Sequence, residues 1–197
     1  MNAKVVESNE RLLEHLTVLR CQAGDPDAFA RLHDSYRERV RGYLSRLVGS
    51  DAVEDVLQEV WVTVYRRIAQ LTNPAAFRQW VFRIARSKAF DALRRDRRRN
   101  ALQLAVSHEA ATEETQFVMP EISDQRVERA IGRLSHEHRE VLQLRYFEDL
   151  PYAEIASIVG CSIGTIRSRL HHAKSALRAV LTEPGTDPDG SEKEEIS

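Results

Sequence analysis

The sequence is poor in cysteine, and this scarcity limits the sites that the chain can build. Its 197 residues include two cysteines, Cys21 and Cys161, which lie far apart and belong to no CxxC pair. A disulfide framework needs several cysteines, and a zinc site needs ligands at short spacing. We therefore expect neither a disulfide framework nor a metal site, and we interpret both thiols as buried or bystander groups.

Long apolar runs are also absent. No window approaches the roughly eighteen consecutive apolar residues of a transmembrane helix, and the opening segment MNAKVVESNERLLEHL lacks the apolar core of a signal peptide. We expect a cytoplasmic protein without membrane insertion. The length of the chain, with 42% hydrophobic and 30% charged residues, is enough for one medium domain or two small ones.

Strand signals are missing as well. No segment shows sustained period-two alternation or a hairpin signal, so we predict an all-α fold. Apolar residues recur instead at the helical spacing of three and four. This spacing predicts helices at about 26–48, 51–68, 74–98, 125–133, 136–148, 152–159 and 163–181. The residues predicted to begin or cap these helices are Asp25, Ser50, Asn73 and Ser135.

Charge is segregated along the chain, although the formal net charge is −1. Residues 78–99 hold nine Lys and Arg against two Asp (+7), and residues 163–178 hold four against none (+4). Residues 107–124 carry five acids and no base (−5), and residues 183–197 carry six acids and one Lys (−5). Nucleic-acid affinity depends on local positive fields, so the basic blocks indicate nucleic-acid binding. The acidic segments predict a flexible linker and a disordered tail.

The segment YAEIASIVGCSIGTIRSRLHHAK (152–174) has the pattern of a helix-turn-helix. Gly160 can adopt the left-handed conformation that ends one helix, and the Ser162 hydroxyl can cap the next. Ala156 and Ile166 stand where the helix pair needs a small residue and a branched aliphatic residue. The exposed face predicted for the second helix carries hydroxyls, imidazoles and positive charge, at Thr165, Arg167, Ser168, His171, His172 and Ser175. Such a face suits phosphates and base edges in a major groove.

These motifs resemble a known family. The stretch LPYAEIASIVGCSIGTIRSRLHHAKSALR is similar to region 4 of bacterial RNA polymerase sigma factors of the extracytoplasmic-function group, and DAVEDVLQEVWVTVYRRI with NPAAFRQWVFRIARSKAFDALRR is similar to their region 2. The resemblance implies a promoter-specificity subunit of two small helical domains joined by a flexible acidic linker. It divides the chain into an N-terminal extension (1–24), region 2 (25–99), a linker (100–124), region 4 (125–182) and an acidic tail (183–197).

The resemblance also implies residue roles. Those for polymerase binding are Glu54, Asp55, Gln58 and Glu59. Those for the minus-10 element are Asn73, Phe77, Arg78, Arg83, Arg86, Lys88, Arg94 and Arg95. Those for the minus-35 element are Ser162, Thr165, Arg167, Ser168, Arg169, His171, His172 and Lys174. The implied partners are core RNA polymerase, promoter DNA and an anti-sigma factor, and no catalytic residue or cofactor is expected.

Several features allow a second interpretation. Phe77 and Trp80 fall on one helical face, which favours a core position for Trp80 over base stacking. Asn73 serves equally well as a helix cap and as a reader of a flipped base. Ser87 departs from the Asn that often follows the IAR triplet in the family, which leaves specificity there open. The alternative function is a stand-alone helix-turn-helix regulator. A metal-dependent nuclease that uses the acidic helix face is a weaker alternative.

Overall fold

The structure, a computed structural model, describes residues 3–49, 51–104, 131 and 133–182. Its α-helices are α1 (Ala3–Gln22), α2 (Pro26–Val48), α3 (Val53–Arg67), α4 (Phe77–Leu104), α5 (His136–Tyr146), α6 (Tyr152–Val159) and α7 (Ile163–Thr182). Two short 3-10 turns, Ile68–Gln70 and Pro74–Ala76, connect α3 to α4. The described residues form no strand, so the all-α prediction is confirmed.

Local capping sets where several helices begin. The Asp25 carboxylate accepts hydrogen bonds from the backbone N–H groups of Asp27 (2.9 Å) and Ala28 (3.1 Å), and Pro26 stands where no intrahelical N–H is needed. The Ser135 hydroxyl likewise accepts from the backbone N–H of His138. Both caps were predicted from the sequence, and both are confirmed.

Two other helix starts differ from the prediction. Ala52, whose side chain makes no capping bond, precedes α3; the predicted cap Ser50 lies outside the described residues. Asn73 accepts from the backbone N–H of Ala75, but this bond begins a 3-10 turn and not the α-helix itself. At its other end α4 continues past the predicted boundary near 98, because residues 99–104 are mostly good helix formers such as alanine, leucine and glutamine.

Helices α1–α4 pack into an N-terminal unit. The interior residues come from every helix, and the largest fully buried side chains include Val18, Tyr36, Val40, Tyr43, Leu44, Val60, Phe77 and Phe82. The segment 1–24, predicted as an extension, supplies α1 to this core through Val18 and Cys21. The Gln22 amide donates to the carbonyls of Ile68 (2.9 Å) and Leu71 (2.7 Å), which ties α1 to the turn before α4. Residues of α1 are therefore part of the unit.

Helices α5–α7 form a C-terminal unit that contains the helix-turn-helix. Gly160 ends α6 in the left-handed conformation (φ 76°), and its N–H donates to the Ala156 carbonyl at 2.9 Å. The Ser162 hydroxyl accepts from the Thr165 N–H at 3.1 Å and caps α7. Ile155 and Ile166 are fully buried between the two helices. This local geometry agrees with the motif predicted from the sequence.

The two units touch each other, with α6 against α4 and α5 against α2. Residues 100–104 of the predicted linker (100–124) continue α4, so this boundary was wrong. The rest of the linker, most of the predicted helix at 125–133 and the tail at 183–197 lie outside the described residues. Within the described part of the chain both cysteines are free thiols and no cluster of His, Cys, Asp and Glu could hold a metal ion. None of the described helices combines the length and apolar character needed to cross a bilayer.

Candidate nucleic-acid and protein interfaces

One surface of α3 is largely exposed. Asp55 and Gln58 are exposed. Val62 and Tyr65 follow them at intervals of four and three, and expose 42% and 68% of their surface. Residues at this spacing share one side of a helix. We call Asp55, Gln58, Val62 and Tyr65 the α3 stripe. The exposed apolar residues of this stripe, Val62 and Tyr65, were not predicted from the sequence. The signal that could have identified them is the position of Tyr65, an aromatic residue that directly follows a residue of the buried face.

Two other acidic residues of α3 are engaged within the chain. Glu54 is exposed, and Arg41 of α2 donates to its carboxylate at 2.7 Å. Glu59 is half-buried, and its oxygens lie 2.8 Å from Arg95 and 3.4 Å from Lys88. The hydrogen bond from Arg95 holds the pKa of Glu59 below its usual value, with Lys88 adding to the effect. Glu59 therefore joins α3 to α4, whereas Asp55 and Gln58 remain open.

An open groove of about 530 Å³ runs between α3 and α4. Its lining combines an aromatic ring with several cations and hydroxyls, at Thr63, Arg66, Arg67, Trp80, Arg83, Ile84, Ser87, Lys88 and Asp91. Trp80 is half-buried and packs against the core, so one part of its ring contacts Phe77 while another lines the groove. Rings beside cations suit stacked bases and backbone phosphates. Arg66 and Arg67 were not predicted from the sequence as part of this surface.

The residues predicted for the minus-10 element do not form one surface. Phe77 is fully buried and its ring packs edge-on against Tyr36 at 5.2 Å, so it belongs to the core and is not available to stack on a base. Asn73 is exposed, and its side chain accepts a capping hydrogen bond from the Ala75 N–H. Arg83 is exposed in the groove. Arg94 pairs with Asp91 on its own helix.

Two of the predicted arginines turn toward the C-terminal unit. The Nε of Arg86 lies 2.8 Å from the Glu140 carboxylate of α5. Arg78 donates to the backbone carbonyl of Glu148 at 3.0 Å. Both arginines are partly buried in these contacts. They are thus separated from Arg83, which opens onto the groove on another side of α4.

The carboxylates that meet α2 and α4 are themselves buried. Glu140 is 3% exposed and also accepts from the Tyr43 hydroxyl at 2.7 Å. Glu148 is 4% exposed, and Nε and one terminal nitrogen of Arg39 approach the same oxygen at 2.9 and 2.8 Å. Burial raises the pKa of the Glu148 carboxyl against the opposing field of Arg39. Charge-assisted bonds of this kind are stronger than neutral ones.

The recognition face predicted on α7 is partly open. Arg167, Ser168, His171 and His172 are exposed. Arg169 is turned aside, because it pairs with Glu137 of α5 at 2.7 Å and is only 21% exposed. The remaining predicted residues keep local partners: Ser162 with Thr165 at the cap, and Lys174 with the ring of Tyr146 at 5.4 Å.

Two family models match the chain. The model described as Sigma-70 region 2 matches residues 32–99, which span α2–α4, and the model described as Sigma-70, region 4 matches residues 124–177. Among curated proteins, the ECF RNA polymerase sigma-E factor of Escherichia coli (strain K12) is 34% identical over 180 residues, covering 86% of this chain and 94% of the relative. That of Haemophilus influenzae is 31% identical over 180 residues, covering 85% and 95%.

Solved structures share the fold. CnrH in complex with the cytosolic domain of CnrY matches with a TM-score of 0.62 at 24% identity, covering 85% of this chain and 96% of that one. The sigma factor RpoE in complex with the anti-sigma factor NepR from Bartonella quintana also has a TM-score of 0.62, at 23% identity, covering 80% and 98%.

Proposed function

The chain belongs to the extracytoplasmic-function group of the sigma-70 family, and we propose that it does the work of such a factor through three separate surfaces. As a sigma factor it binds core RNA polymerase and directs transcription initiation at promoters. In our proposal the α3 stripe docks on the polymerase, the α3–α4 groove holds the minus-10 element, and α7 reads the minus-35 element. The chemistry of RNA synthesis belongs to the polymerase, and we assign the chain no catalytic step.

The observation that carries the proposal is the presence of both sigma regions in one chain, in the family's order. The alternative of a stand-alone regulator is not favoured, because it assigns no role to residues 32–99, which match sigma region 2. A cytoplasmic location follows from the proposed partner, since core polymerase acts there. The proposed domain limits remain 25–99 and 125–182, with α1 added to the first domain because Val18 is buried in its core.

The α3 stripe supports the docking proposal because it joins acidic and polar groups to an exposed ring on one helix face. Complementary charge steers such an association, and apolar contacts hold it. Run-off transcription with sigma-free core polymerase and fragmented DNA of the source genome should yield discrete transcripts. The double variant Asp55→Arg, Gln58→Ala should abolish them, and Tyr65→Ala should reduce them. The matched control Glu10→Arg reverses one exposed charge on α1 and should leave transcription intact.

The same assay can refute the proposal. If an active core preparation yields no transcripts with the unmodified chain, the sigma function is wrong for this chain. If transcripts appear and Asp55→Arg, Gln58→Ala does not change them, the docking surface lies elsewhere. A pull-down of core polymerase by the chain separates a docking defect from a promoter defect in either case.

An exposed cation on α7 supports the minus-35 proposal. Arg167 is exposed on the same helix as Ser168 and His171, and arginine reads guanine through two parallel hydrogen bonds. Arg167→Ala should therefore weaken transcription most at promoters that carry the preferred base. Arg167→Lys keeps the charge for a phosphate but loses the paired bonds. If both variants weaken all promoters alike, Arg167 contacts the backbone and does not read sequence.

For the minus-10 element we replace Phe77 by Trp80 and add Arg66 to Arg83 as phosphate contacts. The support is the groove that these side chains share. Stacking on an aromatic ring contributes about 1–3 kcal/mol per base, so Trp80→Leu should slow promoter opening about tenfold or more at unchanged polymerase binding. Permanganate footprinting of the melted strand measures this step. If Trp80→Leu opens promoters at the normal rate, Trp80 does not stack on a base and serves only the core.

An anti-sigma factor completes the proposed set of partners. The relatives CnrH and RpoE are described with CnrY and NepR, respectively. Their identity to this chain is low, so the support is the shared fold. Affinity purification of the chain from its source cells without induction should recover a regulator that inhibits the transcription assay. Recovery of core polymerase alone would count against a resident inhibitor.

A further inference from the structure

Helix α1 carries a row of exposed leucines. Leu12, Leu13, Leu16 and Leu19 leave 59%, 63%, 48% and 43% of their surface exposed, and we call them the leucine row. They form one continuous patch, because residues three and four positions apart are neighbours on a helix. Single exposed apolar residues are ordinary, whereas a continuous patch marks an interaction surface. Helix α1 therefore has a face that suits an apolar partner.

The leucine row lies opposite the side of α1 that packs on the N-terminal unit. Val18 and Cys21 are buried in the core of that unit, and the Tyr36 hydroxyl of α2 donates to the Glu14 carboxylate at 2.6 Å. The three residues of α1 that make these contacts each follow a leucine of the row by two positions. Two positions turn an α-helix by about 200°. A second helix can therefore approach the row without meeting the helices that pack on the other side of α1.

The spacing of the row is that of a two-stranded coiled coil. Asn9 and Leu16 stand at the a positions of a heptad, and Asn9 is exposed like the leucines. Leu12 and Leu19 stand at the d positions, and Leu13 widens the seam at the neighbouring e position. A single Asn at an a position fixes register and oligomer state in such pairs. A parallel second copy of α1 is thus complementary, because leucine meets leucine and Asn9 meets Asn9.

The charges of α1 do not oppose this pairing. Among residues 9–22 the acids are Glu10 and Glu14, which stand at the outer b and f positions of the same heptad. Arg20 flanks the seam, but Asp25 of its own chain lies 2.6 Å away and neutralises it. Two copies can therefore meet along the leucine row without placing unpaired carboxylates against each other.

We propose that the leucine row and Asn9 bind the same surface of a second copy of this chain, as a parallel pair of α1 helices. The seam from Asn9 to Leu19 spans about 15 Å at 1.5 Å per residue. A two-helix contact of that length stays below the roughly 1,200 Å² at which stable interfaces begin. Because α1 is already folded against α2, pairing orders no new helix. The homodimer is therefore weak, and its population rises with protein concentration.

Sedimentation equilibrium of the full chain over a hundredfold range of concentration tests the dimer. The mean mass should rise toward twice that of one chain. Leu16→Glu puts a charge into the middle of the seam and should raise the dissociation constant about tenfold or more. The matched control Val62→Glu adds the same charge at an apolar residue of α3 that is 42% exposed, and it should leave the dissociation constant unchanged. Thermal melts by circular dichroism confirm that each variant is folded.

A short bismaleimide cross-linker tests the register. It should join two copies of Asn9→Cys, whose thiols face each other across a parallel seam. Glu10→Cys, one residue further around the helix, should link no more than the unmodified chain, which carries the same two natural thiols. Equal linkage of the two variants would overturn the parallel register.

The other outcomes decide between partners for the leucine row. A constant single-chain mass at every concentration would overturn the dimer. If Val62→Glu abolishes the dimer and Leu16→Glu does not, the copies meet through the α3 stripe and the proposal is wrong. If the chain stays monomeric and Leu16→Glu fails to pull down core polymerase, the row belongs to the polymerase contact.

Discussion

The turn between α6 and α7 offers a test in which the same substitution has opposite effects at two glycines. Gly160 has a left-handed backbone (φ 76°, ψ 40°), and a Cβ placed there meets no atom within 4 Å. Gly164 lies in the first turn of α7, and its Cβ would lie 3.6 Å from the Ser162 hydroxyl oxygen, an ordinary contact. Space is therefore available at both positions, and backbone conformation alone decides the effect.

The magnitudes follow from that difference. Alanine in the left-handed conformation costs about 1–2 kcal/mol, and its smaller unfolded-state entropy returns about 0.4–1 kcal/mol. Gly160→Ala should thus lower the free energy of unfolding of the C-terminal unit by about 1 kcal/mol. In a helix alanine is favoured over glycine by about 0.5–1 kcal/mol, so Gly164→Ala should raise it by up to that amount.

Urea unfolding followed by circular dichroism measures both changes, and hydrogen exchange of the α6 and α7 amides assigns them to the C-terminal unit. Gly160→Asn serves as the matched control, because asparagine tolerates the left-handed region better than alanine does. It should fall between wild type and Gly160→Ala. If Gly160→Ala is as stable as wild type, or if Gly164→Ala is destabilised by the same amount, the reasoning from backbone conformation is wrong.

Three further predictions concern single side chains. Asp25→Ala removes the acceptor for two N–H groups and should lower the free energy of unfolding by about 1 kcal/mol; Asp25→Asn should lose less, and equal losses in thermal melts would exclude capping as the cause. The lowered pKa of Glu59 means that its pairing with Arg95 stabilises the fold above the usual value of 4.5 and is lost as the pH falls through the lowered pKa. At neutral pH the free energy of unfolding of Glu59→Gln should therefore be lower than that of wild type, by less than about 1 kcal/mol because the pair is part-exposed. This difference in stability should disappear on acidification, and a difference that stays constant would contradict the ion pair. Asn73→Asp keeps an acceptor for the Ala75 N–H and should melt normally, but its charge should repel DNA and reduce run-off transcription; full activity would leave Asn73 as a cap only.

The parts of the fold that were predictable from the sequence are those set by short-range chemistry. The Asp25 and Ser135 caps act within three residues, and Gly160 ends its helix through its own backbone. Helix periods follow from spacing in the same way. The α1 helix escaped prediction as part of the core because its leucines are largely exposed, and the residues it buries, Val18 and Cys21, make only a short apolar stripe.

The parts that were not predictable depend on which neighbour a helix face meets. Helix α4 has α3 on one side and the C-terminal unit on another. Helical spacing in the sequence does not predict which face of α4 that unit contacts. Arg83 and Arg86 are three residues apart and chemically identical, yet one opens onto the groove and the other is bonded to Glu140. Phe77 and Trp80 differ in a similar way, because Phe77 is fully buried in the core and Trp80 lines the groove.

The pairing of arginines within the fold changes how a basic block in the sequence should be interpreted. The +7 charge of residues 78–99 predicted a nucleic-acid surface, but Arg86 and Arg95 are each bonded to a carboxylate from another helix. The unpaired positive charge of this block is therefore smaller than its formal charge. Affinity for DNA depends on the cations that can release counterions on contact. For this chain the sequence determines the set of cations, and the packing of the helices determines how many of them are already paired with a carboxylate.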